Sequence, residues 1–127
     1  MANPDTIKAY NAAVDISPYL IVKFGANDYD ATLAAASTDS LVGVSGGNGG
    51  VGAKAGQRID VIHEGIAYVK LGGTVTRGDF ITSDASGQGI SAAPAAGVNA
   101  QVIGKAIVSG VLGDVIPVLL QIGRIQG

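Results

Sequence analysis

Ser17-Pro18-Tyr19-Leu20-Ile21-Val22 opens a succession that the chain states again about sixty residues later, as Arg77-Gly78-Asp79-Phe80-Ile81-Thr82. In each copy a turn leads into a short apolar run, followed by a polar break and an Ala-rich stretch. Leu41-Val42-Gly43-Val44 then answers to Val102-Ile103-Gly104-Lys105. Gly56-Gln57-Arg58-Ile59-Asp60-Val61 has its counterpart in Gly113-Asp114-Val115-Ile116-Pro117-Val118, with the offset slipping by a few residues. Short β-branched and aromatic runs punctuated by Gly, Asn and Asp are the composition of strands and turns. The expected fold is therefore all-β: a small β-barrel or sandwich of two similar halves, with the pseudo-repeat over approximately 17–72 and 76–122. Neither half alone would bury enough apolar surface to be stable, so the two must share a core.

Working outward, 127 residues suit one domain. The division expected is an extended N-terminal arm over residues 1–14 and a single β domain over residues 15–127. Eight Lys and Arg against ten Asp and Glu leave no basic cluster able to neutralise a row of phosphates, which argues against nucleic acid. The absence of Cys removes disulfides and thiolate chemistry and leaves the redox compartment open. No apolar run nears the roughly 18 residues of a spanning helix, and the first residues lack a basic start, so the expectation is a soluble, unsecreted chain without a membrane partner. With twenty Gly, two Phe, four Tyr and no Trp, the core must be built from Val, Ile, Leu and Ala. Burial in an oligomer would help such a core, and the high apolar content suits a surface partly covered in the working state.

Along the chain, strands are expected over 19–24, 29–33, 41–45, 79–83, 101–108 and 115–122. Residues 34–39 could form at most one short helical turn. Residues 58–63 and 66–71 are either a strand pair or one long strand bent at Gly65. Residues 45–56 read as a flexible glycine loop. Pro117 cannot donate to a ladder and marks an edge or a bulge.

Candidate chemical motifs have weaker readings. Gly47-Asn48-Gly49-Gly50-Val51-Gly52 fits the dinucleotide pattern, but a strand rather than a helix follows, and no acidic residue sits where a ribose would need it. Arg77-Gly78-Asp79 matches an adhesion tripeptide, yet a Gly-Asp turn feeding an apolar strand is ordinary hairpin punctuation. His63 is the only histidine and has only Asp60 and Glu64 nearby in sequence. Asp28 and Asp30 lie in a turn, too few for a calcium loop. No Gly-x-Ser-x-Gly elbow exists. No catalytic residue, metal site or cofactor is expected, and the chain is read as a non-enzyme.

Residues 56–67, then Val75-Thr76-Arg77-Gly78-Asp79-Phe80-Ile81-Thr82-Ser83-Asp84-Ala85-Ser86-Gly87, then Ile103-Gly104-Lys105-Ala106, resemble the capsid cement, or head-decoration, proteins of tailed bacteriophages. The resemblance covers roughly residues 16–122 and is carried by glycines and apolar positions. It implies a β-rich homotrimer that is made in the host cytoplasm and placed on the outer capsid surface. There it would bind the major capsid protein and stabilise the expanded head by bridging its subunits. The capsid-contact candidates are Asn3, Pro4, Ile7, Tyr10 and Val14, with the arm adding a strand to a capsid subunit. Deletion of residues 2–12 is expected to leave the oligomer folded and to abolish capsid binding. The alternatives are a tail or baseplate structural protein and a carbohydrate-binding module, the latter disfavoured by the absence of Trp.

Overall fold

The computed structural model describes residues 6–46 and 52–127, which form nine strands and no helix. The strands are β1 (Thr6–Ala12), β2 (Ile21–Phe24), β3 (Asp30–Leu33), β4 (Leu41–Ser45), β5 (Arg58–Lys70), β6 (Phe80–Ser83), β7 (Gly89–Ser91), β8 (Asn99–Ala106) and β9 (Val115–Gln126). The hydrogen-bonded order is β1-β3-β2-β4-β5-β9-β8-β6-β7, and a further β1–β5 pairing closes the first five strands into a barrel. β5 is one long strand passing through Gly65, whose φ of 101° turns the chain from the first barrel into the second set of strands.

That second set repeats the first. β2 pairs with β3 and β4 as β6 pairs with β7 and β8, and β4–β5 is matched by β8–β9. The end of β5 plays for the second unit the part of β1. Ala12 pairs in parallel with Ala31 of β3, and Leu71 makes a parallel bridge to Gly89 of β7. Several loop hydrogen bonds correspond as well. Ile16 and Ala53 exchange two bonds, as do Val75 and Gly110; Tyr19 N–H donates to Ser45 O as Gly78 N–H donates to Ala106 O. Side chains join in: Gln57 Oε1 accepts from Lys54 N–H at 2.9 Å, and Asp114 Oδ2 from Val111 N–H at 2.9 Å.

Two apolar clusters follow from this duplication. Tyr10, Ala12, Ile16, Val22, Ala31, Val42, Ile59 and Val61 fill the first barrel. Val69, Leu71, Val75, Ile81, Ile103, Ile116 and Val118 occupy the same places in the second, and this cluster continues into Ile21, Val44 and Ile62 on the first unit. The units are thus welded by a shared core, and neither can separate without exposing it.

One expectation is corrected and two are refined. The first concerns the arm. Residues 6–12 are not free but form β1, antiparallel to β5 and parallel to β3. Tyr10 and Ala12 turn into the first barrel while Ile7, on the opposite face, packs against the larger core. On the face of Ile7 both Ala9 and Asn11 are exposed, so a single apolar contact on that side breaks the clean alternation. The second concerns residues 34–39, which form a turn, within the expected bound of at most one helical turn. The Asp39 carboxylate accepts Ala35 N–H at 2.8 Å and Ala36 N–H at 3.0 Å, and Lys23 Nζ lies 3.3 Å away. The third concerns Pro117, which lies in β9 between β5 and β8. Its carbonyl accepts from Ile107 N–H, one residue past the end of β8, so its missing donor falls where that ladder has run out. Asn3, Pro4 and residues 47–51 of the glycine loop lie outside the described residues.

Asp39 yields a pH prediction. Burial alone would raise its pKa, but the Ala35 amide, Lys23 and the Ala36 amide together bring it below the ordinary carboxylate value. A depressed acid contributes stability that is complete above its unfolded pKa and is lost as pH falls through the folded one. Asp39→Asn should therefore cost about 1 kcal/mol near neutrality, and less in acid, where the wild type has lost the same contribution. Urea unfolding at pH 7 and pH 3 checks this; an equal cost at both would refute it.

Candidate docking surface

Cross-strand register places side chains in rows, because directly opposed residues share a face. On the first unit Ile21 pairs with Val44, Val44 with Ile62, and Ile62 with Ile7. On the second, Phe80 pairs with Lys105, Lys105 with Leu119, and Leu119 with Ile66. The two rows are the same structural positions, and their fates differ. Ile21, Val44 and Ile62 are buried against the second unit, whereas Phe80 is 39% exposed and Leu119 is 48% exposed. Tyr68 and Pro117, opposed in the next row, and Val115 extend this face, with Tyr68 54% exposed. In the β8–β9 loop Val111 and Leu112 are also exposed.

The face is apolar with two cations, Lys70 opposed to Val115 and Lys105, whose ammonium sits 5.0 Å from the centre of the Phe80 ring. Contiguous exposed apolar surface of this kind marks an interaction site in a chain that stays in solution. A surface that one unit covers with the other is left uncovered on the second.

The described site residues read from the sequence, Ile7, Tyr10 and Val14, fall elsewhere. Tyr10 is buried: its hydroxyl is 3.0 Å from His63 Nε2, and His63 Nδ1 is 3.0 Å from Val42 O. A carbonyl only accepts, so Nδ1 carries the proton and Nε2 accepts from Tyr10, whose pKa burial pushes up. This bond fastens β1 to β5 and leaves neither residue free for a partner. Ile7 is committed to the core and Val14 is exposed. Arg77-Gly78-Asp79 is a turn closed on itself, with Asp79 Oδ2 accepting Thr76 N–H at 2.9 Å. Among the described residues no group of three or more His, Cys, Asp or Glu could hold a metal, and no helix is long and apolar enough to cross a membrane.

The apolar face had a signal in the sequence. In residues 115–120 apolar side chains occupy odd and even positions alike, the mark of a strand covered on both sides. Only one side is covered within the chain.

The fold and its surface define a duplicated β body with an apolar outer face and no cluster of reactive groups among the described residues. No family model matches the sequence, and no curated protein matches it. Among solved structures it is similar to the head fiber gp8.5 N base of bacteriophage phi29, with a TM-score of 0.67 and 15% sequence identity. The match covers 97% of this chain and 99% of that one, so the likeness is of the whole fold.

Proposed function

We propose that this chain is a structural, non-catalytic protein of a tailed-phage head. In this reading a homotrimer binds the outer capsid surface and holds neighbouring major capsid subunits together. The observation that carries the reading is the fold, shared nearly end to end with the base of a phage head fiber. The phage resemblance of residues 56–67 and 75–87 points the same way independently of the coordinates. Its partners are the major capsid protein and itself; the slight net negative charge and scattered cations suit neither nucleic acid nor an anionic membrane surface. Packaged DNA strains the shell, and a trimer engaging three equivalent sites raises avidity by about 10²–10⁴ over one weak contact.

The Tyr68–Phe80–Leu119 face is where copies meet. Its equivalent on the first unit is already covered by a β unit of the same design, and a second copy of the chain offers another such unit. Binding to mature, decoration-free heads of its own phage tests the function: density on the outer shell supports it, and recovery only in the unbound fraction refutes it. Light scattering tests the face separately. Leu119→Asp places a charge in the contact and should weaken the trimer ~100-fold or more without changing the melting temperature. A monomeric wild type, or a trimer indifferent to Leu119→Asp, would remove the face from the assembly.

A further inference from the structure

Among the described residues two other than glycine have left-handed backbones, Tyr19 (φ 68°) and Tyr29 (φ 63°). Both sit where the second unit uses glycine. The bond from Gly25 N–H to Asp30 O matches that from Asp84 N–H to Gln88 O, which sets Tyr29 opposite Gly87, whose φ is 75°. Bulky side chains avoid this region, and where one persists the strain is a pointer to function. The Gly87 turn is compact and self-satisfied, with Asp84 Oδ1 accepting from Ser86 and Gln88 N–H. The Tyr29 turn instead holds its ring out, 65% exposed, beside Phe24, 56% exposed.

The two rings flank one open hollow whose other walls include Lys8, Asn27 and Asp28. The Lys8 ammonium lies 5.2 Å from the centre of the Tyr29 ring. Asn27 Nδ2 donates to Asp30 Oδ2 at 3.1 Å, which orients its amide. The exposed Asp28 carboxylate has no hydrogen bond or ion pair among the described residues. The hollow adds an amide and a carboxylate to its aromatic rings and cation, groups that Tyr68, Phe80, Leu119 and Lys105 of the other face do not supply. An apolar protein segment would strand those ionic groups, whereas a pyranose uses both: its C–H face lies on a ring while its hydroxyls donate to Asp28 and accept from Lys8 and Asn27.

We propose that the Phe24–Tyr29 hollow binds a neutral polysaccharide, the pyranose rings stacking on Tyr29 and Phe24. The site is independent of the capsid reading and lies on the other unit from the apolar face.

The test uses the full-length protein, ¹⁵N-labelled, titrated with linear tetramers of β-linked glucose, galactose, mannose and N-acetylglucosamine, and with poly(glycerol phosphate) as an anionic control. The expected result is saturable shifts at residues 24–29 and Lys8 with at least one neutral tetramer. Tyr29→Gly, which restores the residue favoured by this backbone, should weaken binding about tenfold or more while the protein stays as stable as wild type or becomes more so. Phe24→Ser should weaken it similarly. Tyr19→Gly, which relieves the same backbone strain outside the hollow, should leave binding unchanged. Binding by no neutral tetramer, by the anionic polymer alone, or unaffected by Tyr29→Gly and Phe24→Ser would overturn the proposal.

Discussion

Alanine at Gly104 should leave little folded protein, and alanine at Gly43 should do the same. The two glycines are the same position in the two units: Gly43 of β4 pairs with Val22 as Gly104 of β8 pairs with Ile81. Each sits inside a strand, where glycine ordinarily weakens a sheet. Each is there because the neighbouring strand passes too close for a side chain. A Cβ on Gly43 would overlap the Ile62 carbonyl oxygen and one on Gly104 the Leu119 carbonyl oxygen, and Ile62 and Leu119 are themselves equivalent. The obstacle is backbone, which cannot swing aside as a side-chain tip can. Both ladders already carry an irregularity nearby, between Val22 and Lys23 and between Val102 and Gly104. Overpacking of this kind costs ~3 kcal/mol or more, out of a typical stability of about 5–15 kcal/mol. Gly73→Ala is the matched control, since a Cβ there meets nothing closer than Ile90 at 3.9 Å. Thermal unfolding decides: loss of the transition, or a fall beyond about 10 °C, is expected for both strand glycines and a small shift for Gly73. Near-wild-type melting of Gly104→Ala and Gly43→Ala would mean that the strands do not cross as described.

The same pair explains why the duplication was visible in the sequence. Valine and isoleucine at a buried strand position exchange freely, so the second copy keeps apolar character and loses identity. Gly43 and Gly104 cannot drift, because no other residue fits. Gly56 and Gly113, with φ of 87° and 91°, hold equivalent left-handed corners. An echo made mostly of glycine is thus the trace of the two backbone demands that substitution cannot blur. The long β5 was one of two readings left open, a strand pair or one long strand, because a single glycine, Gly65, can bend a strand without ending it.

What misled the reading was also physical. Tyr19 and Tyr29 are aromatic and adjoin apolar runs, so propensity counts them as strand, whereas both are left-handed turn residues lying just outside β2 and β3. Only their alignment with Gly78 and Gly87 discloses this. The docking face was hidden for a different reason. Phe80, Leu119 and Tyr68 are unremarkable in a strand, and which face of a two-sided apolar strand stays open depends on where the other unit packs.

Deleting residues 2–12 should unfold the first barrel rather than release a tethered arm. β1 pairs with β5 from Thr6 to Asn11 and closes the sheet on itself. Its removal opens the barrel on both sides of the gap. Ala31, Ile59 and Val61 lose their cover, and Tyr10 takes with it the hydroxyl that holds His63. Loss of a buried aromatic alone costs about 3–5 kcal/mol. The bonds from Asn11 to Tyr29, from Ala12 to Gln57 and from Gly56 to Ala12 go too, at about 0.5–1.5 kcal/mol each when their partners regain water and more where they stay buried. The sum exceeds what a domain of this size holds in reserve. Because Ile7 packs on the larger core, the second unit should loosen as well. Deleting residues 2–5 removes none of these contacts and keeps the whole of β1. The pair of truncations therefore separates two roles that the arm reading merged. If the 2–5 deletion stays folded but no longer binds heads, Asn3 and Pro4 belong to the contact. If it binds normally, attachment lies on the β body. Hydrogen exchange on both variants gives the structural half of the answer, with protection at residues 59–62 expected to vanish in the longer deletion only. Retained protection there after removal of residues 2–12 would show that the barrel stands without its first strand.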